Sequence, residues 1–121
     1  MVKLVILIEP QEYMHKFEQD WPQFLALAEK MPGLVKEATS PIQSRLHGNL
    51  PVSMMHELFF ESMDDLKEAM NSPEGVAAGQ KLQEITGGKV TLLFADHYED
   101  ELKNIFTFKK PKEDGPRIDR A

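Results

Sequence analysis

Two runs of this chain carry apolar side chains on both parities. Val2–Ile8 (VKLVILI) is β-branched and hardly alternates, which predicts a strand lying centrally in a sheet. In Val52–Glu61, Met55, Leu58, Phe59 and Phe60 fall on both parities. A strand apolar on both sides has to be covered on both sides. Lys89–His97 (KVTLLFADH) reads as a last strand.

Between the strands the period changes to three and four. Met14, Phe17, Trp21, Leu25 and Ala28 form one helical stripe. Pro22 interrupts it, and Asp20 with Gln23 fits a capping box, so two helical segments meeting near Asp20 are expected. Met31-Pro32-Gly33-Leu34 ends the helix. Val35–His47 is mostly polar and broken by Ser40-Pro41, which points to a sheet edge or a bulge. Gly48-Asn49-Leu50-Pro51 then turns the chain into the second apolar strand.

Ser62 and Asp65 form a capping box that opens a helix through Leu66, Ala69 and Met70. Ser72-Pro73 restarts a helix, with Ser72 as cap and Pro73 in the first turn. Gly87-Gly88 stops it after Ile85. The order β-α-β-β-α-β is that of an α+β, ferredoxin-like domain, an antiparallel sheet with its helices on one face. The other face needs a cover, and a second copy of the chain is the simplest. Two such sheets face to face make a dimeric α/β barrel.

Size and composition narrow the chemistry. The 121 residues make one domain. There is no cysteine, which excludes disulfides, thiolate nucleophiles and Cys-ligated metal centres. The net charge of −6 argues against nucleic acid as a partner. Residues 102–121 carry six cations and three anions, a net of +3, which leaves −9 on residues 1–101. The expected organisation is therefore a domain over 1–101 and an extension over 102–121, an arm that could lie on an acidic neighbouring subunit. Asn104–Phe108 could add a strand. No run is long enough to span a bilayer and no leader-like segment is present, so a cytoplasmic protein without membrane partners is expected.

The stretch from His56 to Gln80 resembles the EthD family of the dimeric α/β-barrel superfamily. The resemblance rests on Glu57-Leu58-Phe59-Phe60, on Ser72-Pro73-Glu74-Gly75, on the helix stop Met31-Pro32-Gly33-Leu34 and on the opening strand Val2–Ile8. It runs in order over residues 1–99. The family commonly carries a pocket histidine eight residues before its Pro-Gly-Leu, and here that position is Phe24. Relatives in the superfamily include cofactor-free monooxygenases, dehydratases and lactone isomerases of apolar, often aromatic compounds. What the resemblance implies is a small cofactor-independent enzyme of that kind, or a non-catalytic ligand-binding or accessory homodimer of a degradation pathway. Fold analogy alone does not choose between them.

The candidate chemistry is sparse. His56 has Met54, Leu58 and Phe60 on its own parity, an apolar setting that suits a pocket base or a hydrogen-bonded structural histidine. Glu57 points to the opposite face, so the two do not act together from one strand. A buried Glu57 would suit a general acid or base, and a paired structural carboxylate is the competing reading. Trp21, Phe24, Leu25 and Met55 are the candidate ligand-binding residues, against an ordinary core role. His15, His47 and His97 share no ligand spacing, so neither a metal nor another cofactor is expected.

Overall fold

The computed structural model describes residues 1–100. The expected arm over 102–121, with its strand at Asn104–Phe108, lies outside them. The elements are β1 (Val2–Ile8), α1 (Met14–Ala28), β2 (Lys36–Pro41), β3 (Met54–Phe60), α2 (Met63–Asn71), α3 (Pro73–Thr86) and β4 (Val90–Asp96). The sheet runs β2-β3-β1-β4 with every neighbouring pair antiparallel. This is the ferredoxin-like arrangement read from the sequence, with the two non-alternating strands in the middle.

Register assigns each side chain to a face. Val2, Leu4, Ile6 and Ile8 of β1 stand opposite Phe60, Leu58, His56 and Met54 of β3. Except for His56, these are members of the hydrophobic core, which Phe17, Phe24 and Ala28 of α1, Leu66 and Ala69 of α2, and Ala78 and Leu82 of α3 complete. The intervening residues Lys3, Val5 and Leu7, with Met55, Glu57 and Phe59, occupy the face that carries no helix.

Two local signals act as expected. Ser62 Oγ accepts from the Asp65 N–H at 3.1 Å, and Ser72 Oγ accepts from the Gly75 N–H at 3.0 Å. Each satisfies a donor that a helix start leaves free. Gly87 closes α3 in the left-handed region at φ 61°, where a side chain would be strained.

The expected break near Asp20 does not occur. Helix α1 is continuous through Pro22. Pro22 and Glu18 are both exposed, so the Glu18 carbonyl that loses its intrahelical donor faces water. A proline inside a helix costs about 3 kcal/mol, and burial of Phe17 and Phe24 on either side of it offsets that cost. Asp20 is not a cap. Its carboxylate binds Lys16 Nζ at 2.9 Å, one turn back on the helix.

Candidate functional site

Residue β3 position 56 is the one polar place in the helix-covered layer of the two central strands. His56 is fully buried. The rings of Trp21 and Phe24 on α1 approach it edge-on, with centroids 5.2 and 6.1 Å away. Edge β2 supplies what these aromatics do not. Thr39 is the register partner of His56, and its Oγ1 lies 2.8 Å from Nδ1. Glu37, two residues earlier on the same face, places Oε1 3.0 Å from Nε2. Both ring nitrogens are therefore engaged, as a buried imidazole requires.

Both titratable groups are displaced from their ordinary behaviour. Burial pushes the His56 imidazole down to about 4, against the opposing pull of Glu57 and Glu29, so it is neutral at pH 7. Burial pushes the Glu37 carboxyl up to about 7, helped by a side-chain hydrogen bond with Glu29 and by the Glu29 charge. Glu29 is the exposed residue at the C-terminal end of α1. The site is thus a carboxyl pair at the rim, a buried imidazole, and the hydroxyl of Thr39, a residue exposed on the edge strand. An environment that moves two groups in opposite directions toward neutral forms is a mark of acid–base sites.

Glu57 is placed otherwise. It lies on the open face, where Lys3 Nζ binds Oε2 at 2.5 Å. Met55 shares that face, away from Trp21, Phe24 and Leu25. Lys3 and Lys36 also lie over the Phe59 ring, 5.5 and 4.8 Å from its centroid, and His97 meets its edge at 4.8 Å. One end of the open face is therefore roofed by charged side chains. The other end presents Val5, Leu7, Met55 and the half-exposed Leu93.

A pocket of about 410 Å³ opens under α3, toward the edge strand β4. Leu4, Ile6, Phe24, Leu58, Leu82 and Leu92 form its apolar walls. No titratable side chain lines it. Leu92 and Phe94 stand on the helix-side parity of β4 yet are 46% and 52% exposed, because α3 leaves this edge uncovered. Phe24 belongs to both regions, as a wall of the pocket and a neighbour of His56. Trp21 and Leu25 are half-buried beside it and do not line the pocket.

Sequence reasoning placed His56 and Phe24 together and missed Glu37, Thr39 and Glu29. Among the described residues, no group of three or more His, Cys, Asp or Glu side chains is arranged to hold a metal ion, and no helix is long and apolar enough to cross a membrane.

No family model and no curated protein matches the chain. Solved structures do. An EthD family protein from Bacillus halodurans C-125 is 27% identical with a TM-score of 0.76, over 81% of this chain and 99% of that one. A dimeric ferredoxin-like protein from Jannaschia sp. CCS1 is 15% identical with a TM-score of 0.61, over 79% and 98%. SnoaB, a cofactor-independent oxygenase from Streptomyces nogalater, is 14% identical with a TM-score of 0.56, over 84% and 95%. The chain thus resembles the EthD family in three-dimensional fold as well as in the order of its motifs, within a group of dimeric ferredoxin-like proteins that includes a cofactor-independent oxygenase.

Proposed function

We propose that this chain is a small cofactor-independent enzyme that moves a proton on a hydrophobic, acidic-hydrogen compound, with the His56 cluster as its acid–base centre. The observation that carries this reading is the pair of displaced groups on the helix-covered face: a neutral imidazole held 3.0 Å from a carboxyl that titrates near pH 7. Apolar contacts alone would stabilise this layer at lower cost than a buried ionisable pair. The requirement for a base poised near neutrality accounts for the expense. Such a base suits proton abstraction from a phenol or an activated C–H, the first step of an oxygenation, elimination or isomerisation.

Support from the comparisons is at the level of fold, since the oxygenase SnoaB shares this architecture. Expected partners are a second copy of the chain, joined through the open sheet face, and the small apolar substrate; several proteins of this fold are described as dimeric. The test is turnover of a panel of hydroxylated aromatic compounds, followed by substrate loss and oxygen uptake. Activity that falls at least tenfold in Glu37→Gln and in His56→Ala supports the reading. Activity intact in both variants overturns it.

A second reading has its own observation. The pocket under α3 is walled by apolar residues with no titratable group, and His56 is sealed from it by Phe24. That favours a non-catalytic carrier or accessory protein for an apolar ligand. Gly79 lines the pocket, and a Cβ there meets nothing within 4 Å. Gly79→Leu should therefore fill the mouth without unfolding the helix, and binding of 2-naphthol, read from Trp21 fluorescence, should be lost.

A further inference from the structure

We infer that Thr39, His56, Glu37 and Glu29 form a hydrogen-bonded proton relay, leading from the hydroxyl of the exposed residue Thr39 through a buried imidazole to a carboxyl pair at the end of α1. The order of donors follows from the contacts. In the relay the proton that Glu37 holds below about pH 7 lies toward Glu29, the neighbouring carboxyl that helps to raise it. That placement leaves the Glu37 oxygen facing the imidazole as an acceptor. His56 must then donate from Nε2, at 3.0 Å. A neutral ring with Nε2–H has a bare Nδ1, which has to accept. The Thr39 hydroxyl, 2.8 Å away, is the donor. All three bonds point the same way, from Thr39 to Glu29.

The two ends are open and the middle is closed. Thr39 and Glu29 are exposed, while His56 has no exposed surface. Since both ring nitrogens are occupied, a substrate does not need to reach the imidazole. Its acidic hydrogen passes to the Thr39 oxygen as the Thr39 proton moves to Nδ1. The Nε2 proton moves to Glu37, and the proton Glu37 held moves onto Glu29, which releases it to water. The substrate loses one proton and water gains one. Afterwards His56 carries its proton on Nδ1, and the resting tautomer returns when a proton from water passes back through Glu29 and Glu37 to Nε2 while Nδ1 gives its proton to Thr39 and Thr39 reprotonates the product, as the second half of an isomerisation requires. No oxidant enters this step. The relay deepens the acid–base reading, on which its use in turnover rests. It assigns Glu37 and Glu29 as positioning residues that act through His56.

The charged and titratable groups around His56 are Glu37 on β2, Glu29 from α1, and Glu57 next to it on the opposite face, itself bound by Lys3. The experiment is NMR of the ring nitrogens in uniformly 15N-labelled full-length protein, using two-bond ring correlations that do not require the N–H proton to be visible. His56 is assigned among the four histidines by its absence from the spectrum of His56→Gln. The expected result is a neutral ring protonated on Nε2 at pH 7, with ring shifts that follow the carboxyl pair through neutrality. Glu37→Gln should abolish that pH dependence. Glu29→Gln should move it to lower pH, because the neighbouring charge is gone. Thr39→Val should change the Nδ1 shift and leave the proton on Nε2. A ring protonated on Nδ1, or a pH dependence unchanged in Glu37→Gln, overturns the relay. Failure of the enzymatic reading would instead show as absent turnover with this spectrum intact.

Discussion

His56 and Glu57 are neighbours on one strand, yet they occupy different chemical worlds. His56 points under α1 and is sealed by Trp21 and Phe24, with Glu37 and Thr39 as its polar partners. Glu57 points to the face without helices and meets Lys3 at 2.5 Å, a mostly buried ion pair near a second lysine, Lys36. The covered side displaces its groups toward neutral forms, while the open side pairs opposite charges. The lesson is that strand parity chooses the face, and what covers that face decides the chemistry.

The largest expected difference between the faces is in stability. Leu58→Ala, on the covered face with almost no exposure, should cost about 2–5 kcal/mol in chemical denaturation. An open-face loss of similar size would dissolve the distinction. Truncation at the two neighbours sharpens it further. His56→Ala leaves the Glu37 carboxyl without its buried partner and should cost about 1–3 kcal/mol. Glu57→Ala leaves the mostly buried Lys3 ammonium unpaired and should cost as much, about 1–3 kcal/mol, but with a dependence on salt that His56→Ala lacks.

Stability against pH gives a finer contrast. The folded state lowers the His56 value to about 4, so folding releases a proton between about pH 6.5 and 4, and this contribution to stability is lost as pH falls. The folded state raises Glu37 to about 7, so folding takes up a proton, and this contribution is lost as pH rises through about 4.5 to 7. The two oppose each other over most of that window. In Glu37→Gln only the histidine remains, and denaturation midpoints should climb more steeply with pH between 4 and 6.5 than in the unaltered chain. Parallel curves would mean that Glu37 is not displaced. The smallest effect on the fold, and a large one on assembly, is expected for Leu93→Glu. Leu93 is 46% exposed at the apolar end of the open face, so the variant should stay folded and sediment as a monomer, against the dimer expected of the unaltered chain. A variant that remains dimeric would place the interface elsewhere.

Much of the fold was legible because its signals are local. The unalternating Val2–Ile8 and Met54–Phe60 stretches identify the central strands, and Ser62, Ser72 and Gly87 mark helix ends through single hydrogen bonds or a single φ. Pro22 was misread for the opposite reason. A local rule predicted a break, but packing of Phe17 and Phe24 beneath an exposed turn outweighed it. The site was half legible. Parity put His56 on a face with Leu58 and Phe60, but Glu37 and Thr39 sit on an edge strand of mixed polarity, whose register against β3 no pattern fixes. The one available signal was their spacing of two, which puts both on one face of β2 once Thr39 is known to pair with His56. Glu29 gave no signal, because it reaches the cluster only from the end of a helix that the sequence divided.

The most direct test of the account is the titration of the Glu37 side-chain carboxyl carbon, followed by NMR from pH 3 to 9 in the intact protein. A midpoint near pH 7 is expected, with the imidazole of His56 still neutral there. A midpoint near 4.5, the ordinary value for a glutamate, would mean that the covered face does not hold a base poised for neutral pH, and the acid–base centre would be lost with it.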